Sequence, residues 1–213
     1  MSFEVLRPCY ADQHAQWLDC ILLLMAITQP PEDDLRDLKP DLVMRSLLRI
    51  LVGQLSQKPA AFFTRNALRL IDQAVAEYQT GTVEIRRHIR RKDIGAFLRA
   101  QGHFENCIMS MHRALEFLAA LRRFGTALDG KPLVPRSNQL DILTPGARNR
   151  IRRLRHAISH MDQRLKEHQP RSRQPIALDP NNLGLTLEGV QIAWTELARW
   201  LRELYRLGMG WSI

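Results

Sequence analysis

Between Arg148 and His168 the chain runs RNRIRRLRHAISHMDQRLKEH, six arginines and three histidines within twenty-one residues. At 3.6 residues per helical turn, Ile151, Leu154, Ile158, Met161 and Leu165 fall on one apolar stripe. The opposite arc gathers Asn149, Arg152, His156, Ser159, His160 and Gln163, with Arg155 at its edge. His156 and His160 are four apart and therefore neighbours on that arc. Arg155 and His160 are five apart, roughly 140° around the axis, and border the polar face from opposite sides. An imidazole takes up or gives up a proton near neutral pH, which suits it to general acid–base work. A guanidinium keeps its proton and presents a planar fork to anionic oxygens. The chemistry implied is proton transfer beside a bound phosphate or carboxylate. His156 and His160 alone do not make a metal site, since no third ligand or HExxH glutamate accompanies them, and no metal is assigned.

The elements that must position these residues are helical. Residues 12–28 place Trp17, Cys20, Ile21 and Leu24 at helical spacing, and Pro30-Pro31 ends that run. Leu42–Leu55 repeats the pattern. Ala60–Gln79 predicts a third helix closed at Thr80-Gly81, and Val83–Ala100 a fourth that carries Arg86, Arg87, Arg90, Arg91 and Lys92. That basic cluster suits either an RNA-facing patch or a surface helix paired with carboxylates. Gly102 marks a break before a fifth helix, His103–Phe124, which buries Cys107, Ile108, Met111, Leu115, Leu118 and Leu121. His112 on this helix is taken as a lateral structural histidine, its alternative being an approach to the same face as His156. Residues 125–144 form a long loop, and Thr144-Pro145 caps the basic helix, which runs to about His168. Two short extended runs, 175–178 and 183–187, flank Asp179-Pro180-Asn181-Asn182 as a small hairpin. The last helix spans Leu187–Leu207, with Trp194, Trp200 and Tyr205 as core and dimer-contact residues. The fold class expected is all-α, an up-and-down helical bundle with a small β-hairpin before the last helix. Residues 1–82 form N-terminal accessory helices packed on a core of residues 83–213.

With 213 residues, 45% hydrophobic and 25% charged, the chain has the composition of a globular protein. Its formal charge is +9, nearly all from arginine because lysine occurs only at positions 39, 58, 92, 131 and 166. That excess suits a polyanion partner, but composition alone does not assign one. Cys9, Cys20 and Cys107 are odd in number and show no CxxC spacing, so neither a disulfide framework nor a zinc site is expected. The longest apolar run, Leu18–Ile27, contains Asp19 and falls far short of the ~20 residues of a membrane span. The N-terminus lacks the order of a signal peptide, which makes the cytoplasm the default compartment. P-loop, GxGxxG, GxSxG, paired-carboxylate and cysteine-nucleophile signatures are absent, and no cofactor is assigned.

The stretch Arg155-His156-Ala157-Ile158-Ser159-His160 is an arginine, a polar follower and a histidine four residues beyond, set in a late helix. It resembles the signature of the HEPN superfamily. HFENCIMSMHRALEFLAAL resembles the long helix before the motif, and LGLTLEGVQIAWTELARWLRELY the closing segment, so the likeness covers residues 103–207 loosely and the motif closely. It implies a metal-independent endoribonuclease, often a toxin or abortive-infection (antiviral defence) effector. Such proteins work as homodimers whose motif helices face each other across a basic RNA cleft.

On that resemblance Arg155 and His160 are the catalytic pair, with His156 and Ser159 supporting. Arg148, Arg150, Arg152 and Arg153 attract the RNA backbone in a sequence-blind way. The partners implied are RNA, a second copy of the chain and an antitoxin protein, with no membrane. Some members carry a tyrosine shortly after the histidine that a partner modifies with AMP; here Met161 and Asp162 stand there, and that regulation is not expected. Many members have lost catalysis, so the alternative is a helical module that binds RNA, nucleotide or protein without turnover.

Overall fold

Apolar residues spaced three and four apart, with no proline beyond Pro59 in the first turn, extend much further than the predicted helix ends allow, and two helices of unusual length result. In the computed structural model, which describes residues 27–45, 58–124, 134–135, 139–160 and 178–212, α1 spans Lys58–Arg91 and α2 spans Ile94–Leu121. At 1.5 Å per residue the 34 residues of α1 reach roughly 50 Å. The breaks expected at Thr80-Gly81 and Gly102 are therefore corrected: both glycines lie inside helices. Gly81 is there for close approach, since a β-carbon at that position would stand 2.8 Å from the buried Phe104 ring. The chain turns at Lys92-Asp93 instead. Lys92 takes a left-handed φ of 53°, and the Asp93 carboxylate accepts the Ala96 N–H at 3.0 Å to cap α2. His88 packs on Phe97, Arg99 bonds Glu84, His103 meets Glu77 and Phe63 meets Phe117, so the two helices run antiparallel along their length.

Residues 27–45 are fastened to this hairpin by polar contacts. The Tyr78 hydroxyl donates to the Asp33 carbonyl at 2.8 Å, and the Gln79 amide donates to the carbonyls of Leu35 and Leu38. Residues 42–45 are helical, with the N–H groups of Leu42 and Val43 capped by the Asp72 carboxylate at 3.1 Å each. The helices expected at 12–28 and 42–55 otherwise lie almost wholly outside the described residues, as does most of the loop expected at 125–144. Ile27, Leu35 and Leu42 belong to the same buried cluster as Tyr78, Phe104, Ile151, Leu185 and Trp200. Helix α1 passes unbroken through positions 82 and 83.

A three-residue 3-10 turn, Asp141–Leu143, leads into α3, Pro145–Ser159. Thr144 is its N-cap, accepting the Ala147 N–H at 3.3 Å, and Pro145 opens the helix. Three antiparallel strands follow in the order β1 (Asp179–Asn181), β2 (Gly184–Leu187), β3 (Val190–Ala193), and then α4, Trp194–Ser212. The hairpin expectation is corrected in two ways. The reversal lies at Asn182-Leu183 rather than within 179–182, because Asn181 Oδ1 accepts the N–H groups of Leu183 and Gly184 and sets the turn there. A third strand also occupies what was expected as the start of the last helix. Val190 and Ile192 are buried while Gln191 is exposed, a period of two. Glu188-Gly189, with φ of 52° and 71°, makes the two-residue turn that joins β2 to β3, as a type I′ hairpin requires. The described residues are thus mostly helical with one small sheet, and no helix among them is long and apolar enough to cross a membrane.

Candidate functional site

Helix α3 is positioned from both sides. Ala147, Ile151, Leu154 and Ala157 are buried beneath it, which turns the remaining arc outward. Its N-terminal end is held by α4: the Trp200 indole N–H donates to Asp141 at 2.9 Å, Arg199 to the same carboxylate at 2.5 Å, and Ile142 N–H to Glu203 at 2.9 Å. Ser159 Oγ lies 4.0 Å from Met109 Sδ, which places the other end against α2.

Between α3, α2 and the β2–β3 turn lies an open cleft of about 450 Å³, lined by His112, Glu116, Arg152, Arg153, Arg155, His156, Glu188 and Val190. That size falls within the range of small-molecule sites, about 300–1,000 Å³. Three guanidinium groups and two imidazoles face one space. Among the described residues, no carboxylate stands within ion-pair distance of Arg152, Arg153 or Arg155. Arg152 instead donates to Asn149 Oδ1 at 3.0 Å.

The residues singled out from the sequence separate into three groups. Arg152, Arg153, Arg155 and His156 line the cleft. His160, expected inside the helix, is its C-cap: its φ of −104° and ψ of 8° leave the helical range, and its N–H donates to the His156 carbonyl. It is not among the described residues that line the cleft, but its ring stands against that of His156, centroids 4.2 Å apart at 59°. Residues 161–168, the rest of the expected helix, lie outside the described residues. Ser159 is exposed toward Met109, and Arg148 is exposed near the helix start. Arg150 points elsewhere, gripping both oxygens of Glu196 and covering the Trp200 ring at 4.9 Å. It is a clamp between α3 and α4. Part of the basic cluster at the end of α1 is likewise engaged internally, Arg86 with Asp34 at 2.7 Å and Arg87 with Asp93 at 3.1 Å, while Arg90, Arg91 and Lys92 are exposed.

The residue under-weighted from sequence is His112. Its side chain is only 14% exposed, and it faces the cleft from α2 with Nδ1 3.7 Å from Glu116. Burial pushes its pKa below the ordinary value; Glu116 opposes this, and the charges of Arg155, Arg152 and Arg113 reinforce it. His112 therefore stays neutral near pH 7, an acceptor for protons rather than a cation. Glu188 was also missed. Its backbone, left-handed for a non-glycine residue, belongs to the turn that closes the cleft. Sequence spacing contains no sign of either, since both come from elements remote from α3 in the chain.

Among the described residues no three histidine, cysteine, aspartate or glutamate side chains group to hold a metal ion, and Cys107 is a buried free thiol. No protein-family model, curated protein or solved structure matches the chain.

Proposed function

We propose that the cleft binds the phosphodiester backbone of RNA and that the protein is a metal-independent endoribonuclease of HEPN type. The observation that carries this reading is the convergence of Arg152, Arg153 and Arg155 with His112 and His156 on one cleft, with no described carboxylate paired to the three arginines. Arginines held in this way attract the RNA backbone electrostatically. Arg155 holds the scissile phosphate and stabilises the charge that develops on it. His156 and His160, ring against ring, form the proton-exchanging pair, with His160 acting through or beside His156.

The long antiparallel helices and the closing α4 are consistent with a HEPN-like bundle. In the full assembly two copies would bring two such clefts together, and a toxin or defence role with an antitoxin partner rests on the resemblance alone. The test is cleavage of single-stranded RNA in EDTA by the wild type beside Arg155→Ala and His160→Ala. Chelator-resistant cleavage that both substitutions abolish is the expected result; equal cleavage by all three proteins would end the proposal.

A second reading is a helical module that binds RNA without cutting it. It is favoured by one observation: His160 caps the helix and does not line the cleft. Such a module would show RNA affinity that falls steeply with salt, and no product.

A further inference from the structure

The catalytic pair expected from the sequence comes from one helix, but transesterification at phosphorus needs two proton transfers on different sides of the phosphate. The 2′-hydroxyl must lose a proton as it attacks, and the departing 5′-oxygen must gain one. A single imidazole stack on α3 supplies one side. The other candidate at the cleft is on α2.

We propose that His112 is the general base of this site, a catalytic residue that takes the proton of the RNA 2′-hydroxyl, while the His156–His160 pair returns a proton to the leaving oxygen. This rests on the reading of the cleft as an RNA-cleaving site. In the step, the 2′-oxygen forms a bond to phosphorus as its proton passes to the free ring nitrogen of His112. The bond from phosphorus to the 5′-oxygen breaks, and that oxygen takes a proton from the imidazolium of the α3 pair. The products are a 2′,3′-cyclic phosphate and a 5′-hydroxyl, and no water or other co-reactant is consumed. The two sites then exchange protons with solvent to return to their starting forms.

Three observations carry the assignment. His112 faces the cleft from a different helix than Arg155 and His156, so base and acid approach the phosphate from separate elements. Its Nδ1 sits 3.7 Å from the Glu116 carboxylate on the next turn of α2, too far for a hydrogen bond but near enough for that charge to favour the imidazolium as it forms. Its surroundings keep the resting ring neutral: burial first, then Arg155 and Arg152 from α3 and Arg113 from α2, with Glu116 opposing. Glu188, from the β2–β3 turn, and His156 complete the charged and titratable groups lining the cleft. A neutral acceptor beside guanidinium groups that grip the phosphate is what a base for this reaction requires.

The experiment uses the full chain and two single-stranded RNA substrates, one ordinary and one with sulfur replacing the bridging 5′-oxygen at the cleavage position. A thiolate leaves without protonation, so the sulfur substrate makes the acid dispensable and the base no less necessary. On ordinary RNA, His112→Ala and His112→Gln should cut roughly 10²–10⁴-fold more slowly than the wild type, while binding RNA as tightly. On the sulfur substrate His156→Ala should regain most of its rate and the His112 variants should not. The wild-type rate should rise with pH through a midpoint below 6.5, the ordinary histidine value, and this readout needs no variant to fold.

Rescue of the His112 variants by sulfur as complete as that of His156→Ala would overturn the assignment. So would unimpaired cleavage by the His112 variants, or a wild-type profile flat across that range; in each of these cases the nuclease reading stands. Absence of cleavage by the wild type on both substrates removes the two together.

Discussion

Arg202 and Arg155 are the same residue type in opposite circumstances. Arg202, on α4, is gripped by two carboxylates, Asp33 at 2.8 and 2.9 Å and Asp37 at 2.5 and 2.9 Å, so its four contacts fasten residues 33–37 to the closing helix. Arg155, on α3, lines a cleft with Arg152 and Arg153 where none of the described carboxylates reaches ion-pair distance. A guanidinium already forked onto two carboxylates, with four of its five N–H donors used, has little left for a ligand, whereas guanidiniums grouped in a cleft repel one another and favour an incoming anion. High arginine content alone therefore says little about function. What distinguishes the two regions is whether a carboxylate among the described residues meets each cation.

The largest effect that would test this contrast is on catalysis. Arg155→Ala should slow RNA cleavage by roughly 10²–10³-fold, as loss of one transition-state donor does, and leave the thermal midpoint nearly unchanged. An unaltered rate would mean that the cleft arginines are merely a solvated face. Arg202→Ala should do the reverse. It leaves Asp33 and Asp37 without their cation, and because those carboxylates are 37% and 62% exposed the loss is about 1 kcal/mol. Thermal unfolding should fall by about 2–4 °C while cleavage stays at the wild-type rate.

A smaller effect is expected with pH. The Arg202 hydrogen bond holds the Asp37 carboxyl below its ordinary value against a modest burial cost. At Asp34 burial pushes the other way, but the Arg86 hydrogen bond, the Arg36 N–H and both charges outweigh it and lower the pKa. Depressed carboxylates contribute stability above the ordinary aspartate range, which is lost as pH falls through the lowered values. Wild-type stability should therefore drop below about pH 4, and in Arg202→Ala the Asp37 part of that drop should vanish. Superimposable acid unfolding of the two proteins would show that the clamp contributes nothing.

The smallest effect sharpens the comparison within a single helix. Arg153→Ala should flatten the log–log dependence of RNA affinity on salt by about 0.7, the share of one single-strand phosphate contact, whereas Arg150→Ala should leave that slope alone. Equal slopes for both variants would erase the distinction between the two sides of α3.

The apolar side of this architecture was legible in the sequence. Ile151 and Leu154 on α3, and Cys107, Ile108, Met111, Leu115, Leu118 and Leu121 on α2, are buried as their three- and four-residue spacing demands. Punctuation was less legible, because glycine has two uses. Gly81 was read as a helix end, yet it makes room for Phe104, while the actual reversal rests on a lysine, Lys92, forced left-handed. Strand β3 was hidden because Val190, Ile192 and Trp194 continue into a helical pattern, and only the Glu188-Gly189 turn separates the two. At the site, spacing along α3 brings His156 to His160 but cannot say which arc α4 covers. Arg150 was thus grouped with its neighbours although Glu196 and Trp200 claim it. His112 was weighed as a lateral structural histidine, because nothing in the sequence shows that α2 lies beside α3.

The little sheet has a consequence of its own. At one end of β2 the Glu188-Gly189 turn borders the cleft; at the other, Asn182 Oδ1 accepts the N–H groups of Thr28 and Gln29, and the Trp194 indole ties Asn181 to the start of α4. Four residues of strand, roughly 13 Å, join the two ends. The turn that borders the cleft and the clasp that pins Thr28 are thus the two ends of one short strand.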